Sequence, residues 1–355
     1  FTLRMRLTLD SIEFCLKEMP KFHSFLENTY FFSETGLTTD EEIAFGFVEM
    51  RHVLRGLLKR GLDIDQIARH IVMLVNCRMD FFEEIAKIRA TRRIFARMMR
   101  DEFGAKTERA ESLTMTCHTS GISLTAQQPF NNIVRGAIQC MALVMAGIQA
   151  VEISAFDEPF RTPSPESHLV SLRTQQVIDL ESSIGRVHDP LGGSYLVESL
   201  TNQMEEKIME RIQKIEALGD PADLSTKGWF KKFFENSMER YHKDIESKQR
   251  LKVGTNIQQI PDKEDTMLRD VAEAKIQPYI WHVERIKRYK ERRDTAKMKE
   301  VLSALKHTAQ ETSENLMGSI FTAFEAGATC GEITGMLRMA YDQPYDPYGK
   351  MSPPF

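Results

Sequence analysis

His118 closes a run of alternating residues, Ser112-Leu-Thr-Met-Thr-Cys-His118, which puts Thr114, Thr116 and His118 on one face of a strand. Glu152 alternates with Val151 and Ile153 and shares its face with Ala150 and Ser154. An imidazole titrates near neutrality and serves as acid or base. A carboxylate facing inward is costly unless it is paired. If the two strands are neighbours, a His118–Glu152 pair follows, either a proton-handling couple or a structural ion pair. Tyr30-Phe31-Phe32 reads as core packing, and Asp157-Glu158 as a cap for the segment behind it. Other chemistries lack their residues. There is no phosphate-binding glycine loop, since Gly192-Gly193 is too short and follows no strand. No hydrolase elbow, zinc spacing or DxHxxG motif occurs.

The elements that must position these groups form a strand–helix–strand unit. Thr119-Ser120-Gly121 breaks the first strand, and Gln128-Pro129-Phe130 opens a helix carrying Ile133, Val134, Ile138, Met141, Ala142 and Met145 at helical spacing. Gly147 closes that helix and Ile148 to Ser154 forms the second strand. Such an order with short connections is the unit of a parallel sheet. Upstream, Phe1 to Pro20 reads as a helix. Thr39-Asp-Glu-Glu42 reads as a capping box for a helix to Arg60, and Asp80 caps a helix to Phe103. Strands are expected at about 24–31, 70–77, 112–118 and 148–154. Pro165 starts a helix that ends before Gly185. Beyond Glu198 the pattern is nearly all helical: 204–218, 229–245, a basic stretch at 281–293, and 314–341 broken by Gly327 and Gly331, with one short extended piece at 253–256.

With 355 residues, 42% apolar, the chain is long enough for a sizeable core, and its net charge of −4 is interspersed. That balance argues against nucleic acid or an anionic membrane as partner. The basic stretch reads as a solvated helix face, with only Trp281 and Tyr289 to stack on bases. Five scattered cysteines without CxxC suggest reduced thiols and a cytoplasmic protein. No apolar run reaches transmembrane length. A first residue of Phe1 rather than Met fits a piece of something longer.

His118-Thr-Ser-Gly-Ile-Ser-Leu-Thr-Ala-Gln-Gln-Pro-Phe-Asn-Asn-Ile-Val-Arg135 closely resembles the barrel segment of adenosylcobalamin-dependent acyl-CoA mutases, the methylmalonyl-CoA mutase family. Asp80 to Lys87, Ser154 to Glu158 and Asp189 to Thr201 match in the same order. The resemblance implies an α/β fold of the (β/α)8 TIM-barrel type, of which this chain carries the second half. Residues 1–200 would be that half, 201–341 a helical linker region and 342–355 a loose tail. It also implies a radical carbon-skeleton isomerisation of an acyl-CoA, with the other four strands and a cobalt-ligating DxHxxG domain or subunit supplied from elsewhere.

Carried over residue by residue, Tyr30, His118 and Glu152 stand at catalytic positions, and Glu34, Gly121 and Glu158 at cofactor positions. Glu158 would bond the adenosine ribose, and Gly121 would let the corrin approach. The pattern is also altered. Phe31 stands where the family has a histidine that donates to the thioester carbonyl. His118 replaces a glutamine and is the candidate substitute donor, and Glu152 replaces a histidine. His70, Val72 and Thr114 replace family groups that contact CoA. The competing reading is a non-catalytic paralogue acting as a structural or regulatory subunit.

Overall fold

Four short β-branched and apolar runs pair as parallel strands in a computed structural model that describes residues 2–273 and 279–355. They are β1 (Phe25–Asn28), β2 (Ile71–Cys77), β3 (Thr114–Thr119) and β4 (Ala150–Glu152), in the spatial order β1-β2-β3-β4. The expected strands are all present, and two are shorter. β1 stops at Asn28 because Tyr30–Ser33 turns helical, and β4 stops at Glu152. Among the described residues the sheet is open and four-stranded, which is half of what a closed eight-stranded barrel requires.

The longer helices are α1 (Thr2–Glu18), α2 (Thr39–Lys59), α3 (Phe81–Arg97), α4 (Asn131–Met145), α5 (Pro165–Glu181), α6 (Tyr195–Glu216) and α7 (Trp229–Glu246). After them come α8 (Ile280–Arg292), α9 (Thr295–Glu311), α10 (Met317–Glu325) and α11 (Cys330–Ala340). Phe1, part of the expected first helix, lies outside the described residues. Two compact units result, Phe25–Ile276 and Phe1–Ser24 with Gln277–Phe355.

In the first of these units, α2 begins one residue earlier than its sequence suggests. Thr38 is the N-cap and its amide donates to Glu41 Oε2 at 2.8 Å. Glu42, the expected box partner, is drawn inward to Lys87 instead. α2 lies so close to the sheet that a Cβ on Gly46 would fall 2.3 Å from Thr29 Cγ2. α3 ends at Arg97 rather than Phe103, and a π-helical turn takes Met98–Glu102. α6 packs Val197, Met204, Ile208 and Ile212 inward. It is tied to α2 by Arg51–Glu216 at 3.1 Å and Arg211–Asp40 at 2.8 Å, and to α3 by Arg93–Glu205 at 2.9 Å. The division expected at residue 200 therefore falls inside a helix that belongs with the sheet. α7 adds Trp229, Phe230, Phe233 and Phe234 around the ring of Phe45. The expected extended piece at 253–256 is a turn, with Gly254 at φ +85°.

The other unit is helical around Leu302, Leu305, Leu316, Ala323 and Leu337. Arg6 of α1 donates to the Ala309, Thr312 and Glu314 carbonyls, which α9 leaves open at its C-terminal end. Gly327 (φ +91°) breaks the last helical region as expected. Gly331 does not. It sits in the first turn of α11, behind the capping box of Thr329 and Glu332. The tail is fastened in part: Tyr345 lies over Gly335, and Asp346 accepts from the amides of Tyr348, Lys350 and Met351.

Candidate functional site at the carboxyl ends of the strands

The two faces of the sheet differ. Met73, Val75, Met115 and Cys117 point toward the helices and are buried. On the other face Leu26 is 51% exposed, Thr114, Thr116 and His118 are half-buried, and Ala150 and Glu152 are exposed. Parallel-barrel enzymes build their sites at the carboxyl ends of the strands, on the face that lines the lumen.

At that rim the chain leaves β1 through Thr29, whose hydroxyl is 3.1 Å from both Glu42 Oε1 and the Leu74 carbonyl. The helical turn that follows carries Tyr30 and Glu34. Glu34 Oε1 accepts from Asn76 Nδ2 (2.6 Å) and Ser120 Oγ (3.0 Å), and Oε2 accepts from the Ile122 amide (2.9 Å). A Cβ on Gly121 would lie 2.8 Å from Glu34 Oε2 and 3.5 Å from the Tyr30 hydroxyl. The bare glycine thus makes room for Glu34 itself. Burial pushes the Tyr30 phenol well above its ordinary range. The charges of Glu34 and Glu158 push the same way, and a backbone hydrogen bond from Gly121 opposes them. Tyr30 is therefore a neutral hydroxyl.

Tyr30 stacks on the His118 ring, with centroids 4.7 Å apart and planes 11° from parallel. His118 Nε2 is 3.1 Å from Ser154 Oγ, and that hydroxyl has its single proton committed to the Thr119 carbonyl at 2.6 Å. Ser154 must then accept, so Nε2 carries the ring proton and Nδ1 the lone pair. In this tautomer His118 keeps an acceptor at Nδ1. Donation to a carbonyl, the role expected from its sequence position, would need a second proton on Nδ1. Glu152 is the register partner of His118, as anticipated, but no bond joins them. The expected pair does not form, because Ser154 takes the imidazole and the exposed carboxylate keeps its solvent.

Asp157 and Glu158 divide their work. Asp157 is fully buried and accepts from Arg161 Nε (2.8 Å) and the Ser164 amide (3.1 Å). Burial works to raise its carboxyl, but hydrogen bonds from Ser167, Arg161 and Ser164 hold it below the usual range. Glu158 accepts from the Ala155 amide through Oε2 (3.0 Å), leaving Oε1 without a partner among the described residues. Phe31 is 66% exposed and edge-on to Tyr30. Val72, where the resemblance implies an altered CoA contact, pairs in register with Leu26 and Thr114 at the opposite, amino end of the strands.

The sequence reading missed what holds the rim. Lys87, fully buried, reaches Glu42 Oε2 (3.0 Å), Glu84 Oε2 (2.6 Å) and the Asn76 carbonyl (2.6 Å). Glu42 Oε1 accepts from the Asn76 amide at 2.8 Å. Burial alone would lower the Lys87 pKa, but the two carboxylates raise it. Burial lifts that of Glu84, which one lysine cannot fully offset. A visible signal was Lys87 itself, three residues beyond Glu84 on an otherwise apolar helix face.

A family model described as methylmalonyl-CoA mutase matches residues 2–343. The chain belongs to the methylmalonyl-CoA mutase family. It is 36% identical over 339 residues to methylmalonyl-CoA mutase of Rhizobium meliloti (strain 1021), covering 95% of this chain and 47% of that one. It is 32% identical to the 2-hydroxyisobutanoyl-CoA mutase large subunit of Aquincola tertiaricarbonis (94% and 59%), and 33% identical to the mitochondrial methylmalonyl-CoA mutase of Homo sapiens (96% and 45%). The chain spans about half the length of these relatives. In this chain Tyr30 and Glu34 both border Gly121 at one rim, with Glu158 close enough for its charge to act on Tyr30. No helix among the described residues is long and apolar enough to cross a membrane.

Proposed function

We propose that this chain is the substrate-barrel part of an adenosylcobalamin-dependent acyl-CoA mutase, completed by four further strands and a cobalt-ligating domain. The supporting observation is that Tyr30 and Glu34 meet at Gly121 at the carboxyl ends of the strands, with Tyr30 stacked on the His118 ring. The residues fit the cofactor. Glu158 Oε1 is open to a ribose hydroxyl, and Glu34 and Gly121 hold the 120–122 loop that the corrin would approach. When bound, adenosylcobalamin supplies the radical chemistry. The chain's own residues orient and polarise. Tyr30 donates from a phenol kept neutral, and His118, held flat under that ring, accepts at Nδ1 or donates once protonated there.

The test is reconstitution with chains that carry the missing strands and a DxHxxG domain. The complex should take up cobalamin and isomerise an acyl-CoA, and His118→Ala should lower turnover by about two to four orders of magnitude. Unchanged turnover would make His118 structural. A monomer of the isolated chain that holds stoichiometric cobalamin would overturn the shared-barrel reading.

A non-catalytic subunit is the second reading. It is favoured by Phe31 in place of a donor, by both Glu34 oxygens being already engaged, and by the uncharged row Leu26, Val72 and Thr114. A complex that assembles but takes up no cobalamin would decide for it.

A further inference from the structure

In the helical unit, a cavity of about 710 Å³ lies between α8, the start of α9 and the turn after α10. Arg285, Arg288 and Arg292 line it from α8, with Lys297 from the first turn of α9. The basic residues of α8 fall into two groups. Lys287 pairs with Glu284 at 2.9 Å, Lys290 lies 3.7 Å from Glu332, and Arg293 grips Glu332 with two bonds of 2.6 and 2.7 Å. Among the described residues the three cleft arginines have no carboxylate partner. Arg285 reaches only His282 Nδ1 and the Trp281 ring, Arg288 only the Glu284 carbonyl at 3.4 Å, and Arg292 has no side-chain partner among the described residues.

Two acids also line the cleft. Asp294 caps α9 through the Lys297 amide and keeps its charge, so it and Glu325 stand against Arg285, Arg288, Arg292, Arg293 and Lys297, and the lining stays positive. The positive end of α9, a helix of 17 residues, adds to the field. Arginines at i, i+3 and i+7 lie on one helix face and span about 10 Å at 1.5 Å per residue, more than one phosphate needs. Their planar forks suit phosphate oxygens better than lysine does. The cavity is of the size that holds a small ligand, and the Tyr289 ring gives it one aromatic wall.

We propose that this cleft binds a phosphorylated small molecule of the nucleoside-diphosphate class, with the diphosphate on Arg285, Arg288 and Arg292 and the remainder against Tyr289. The test is calorimetric titration of the full chain with inorganic pyrophosphate and with ADP at physiological ionic strength. Expected is one saturable site for each, tighter for ADP. Two lost charge-assisted bonds in Arg288→Ser/Arg292→Ser should weaken it by about tenfold or more. The charge-matched Lys287→Ser/Lys290→Ser variant should bind as the parent does. Equal loss in both variants, or no heat with either probe, would overturn the proposal. So would tight binding of an RNA oligonucleotide that ADP does not displace, which would make the face a nucleic-acid surface instead. Circular dichroism shows whether each variant retains its helices.

Discussion

The helix side and the lumen side of the sheet are built on opposite terms. Behind the strands, Lys87, Glu42 and Glu84 are sealed from water and bound to one another. In front, Leu26, Ala150 and Glu152 face outward with little to hold them. Burial and charge pairing belong to the helix side, and the opposite side is left open. The rim is where the two meet, through Asn76 and Glu34.

This contrast breaks most readily from behind. Lys87→Met would strand two buried carboxylates. Removing one partner of a buried ion pair costs about 3–5 kcal/mol, so urea denaturation should show most of a domain's stability gone. A loss under about 1 kcal/mol would mean that water reaches the site.

At the rim the effect should be smaller. Gly121→Ala pushes a methyl to within 2.8 Å of Glu34 Oε2, and overpacking of this kind costs about 1–3 kcal/mol. Paired with Glu34→Ala, the same change should be nearly free. A double-mutant cycle with no coupling would show that the glycine serves something other than Glu34.

Glu84→Gln sharpens the picture from the opposite direction. Burial raises the Glu84 pKa, so the folded chain binds its proton more tightly than the unfolded chain does. That contribution is fully present below the ordinary carboxylate range and is lost as pH rises through the raised value. The glutamine variant should therefore be destabilised by less than about 1 kcal/mol at neutral pH and should lose part of the parent's fall in stability with rising pH. Denaturation midpoints across that range decide it, and an unchanged slope would place the titration elsewhere.

The smallest effect is expected in front. Glu152→Gln removes an exposed charge with no partner among the described residues and should stay within about 0.5 kcal/mol of the parent. A large loss would reveal an interaction of Glu152 that its exposed position conceals.

Much of the frame was legible in the sequence because it rests on local signals. The alternation at 112–118, the cap at Asp80, the helix start at Pro165 and the glycines at 147 and 327 each mark an element where the structure has one. What was not legible depends on distant partners. Thr39 reads as the cap with Glu42 as its partner, but Lys87 claims Glu42 and the box forms one residue earlier, between Thr38 and Glu41. His118 and Glu152 are register neighbours, but Ser154, two residues further on, captures the ring, and no spacing rule announces that the Thr119 carbonyl has already fixed the serine's proton. α6 reads as the start of a linker until its apolar stripe finds α2 and α3.

Asn76 touches both sides at once: its amide and carbonyl are held by Glu42 and Lys87 behind the sheet, and its side chain holds Glu34 in front. A rivet of this kind separates what is free to vary from what is not. Phe31, His118 and Glu152, on the open side of the sheet, make no bond to Asn76, so side chains there can change without loosening the frame behind them. Change on the open face is then inexpensive for such a scaffold, whereas change behind Asn76 would dismantle the rim it supports.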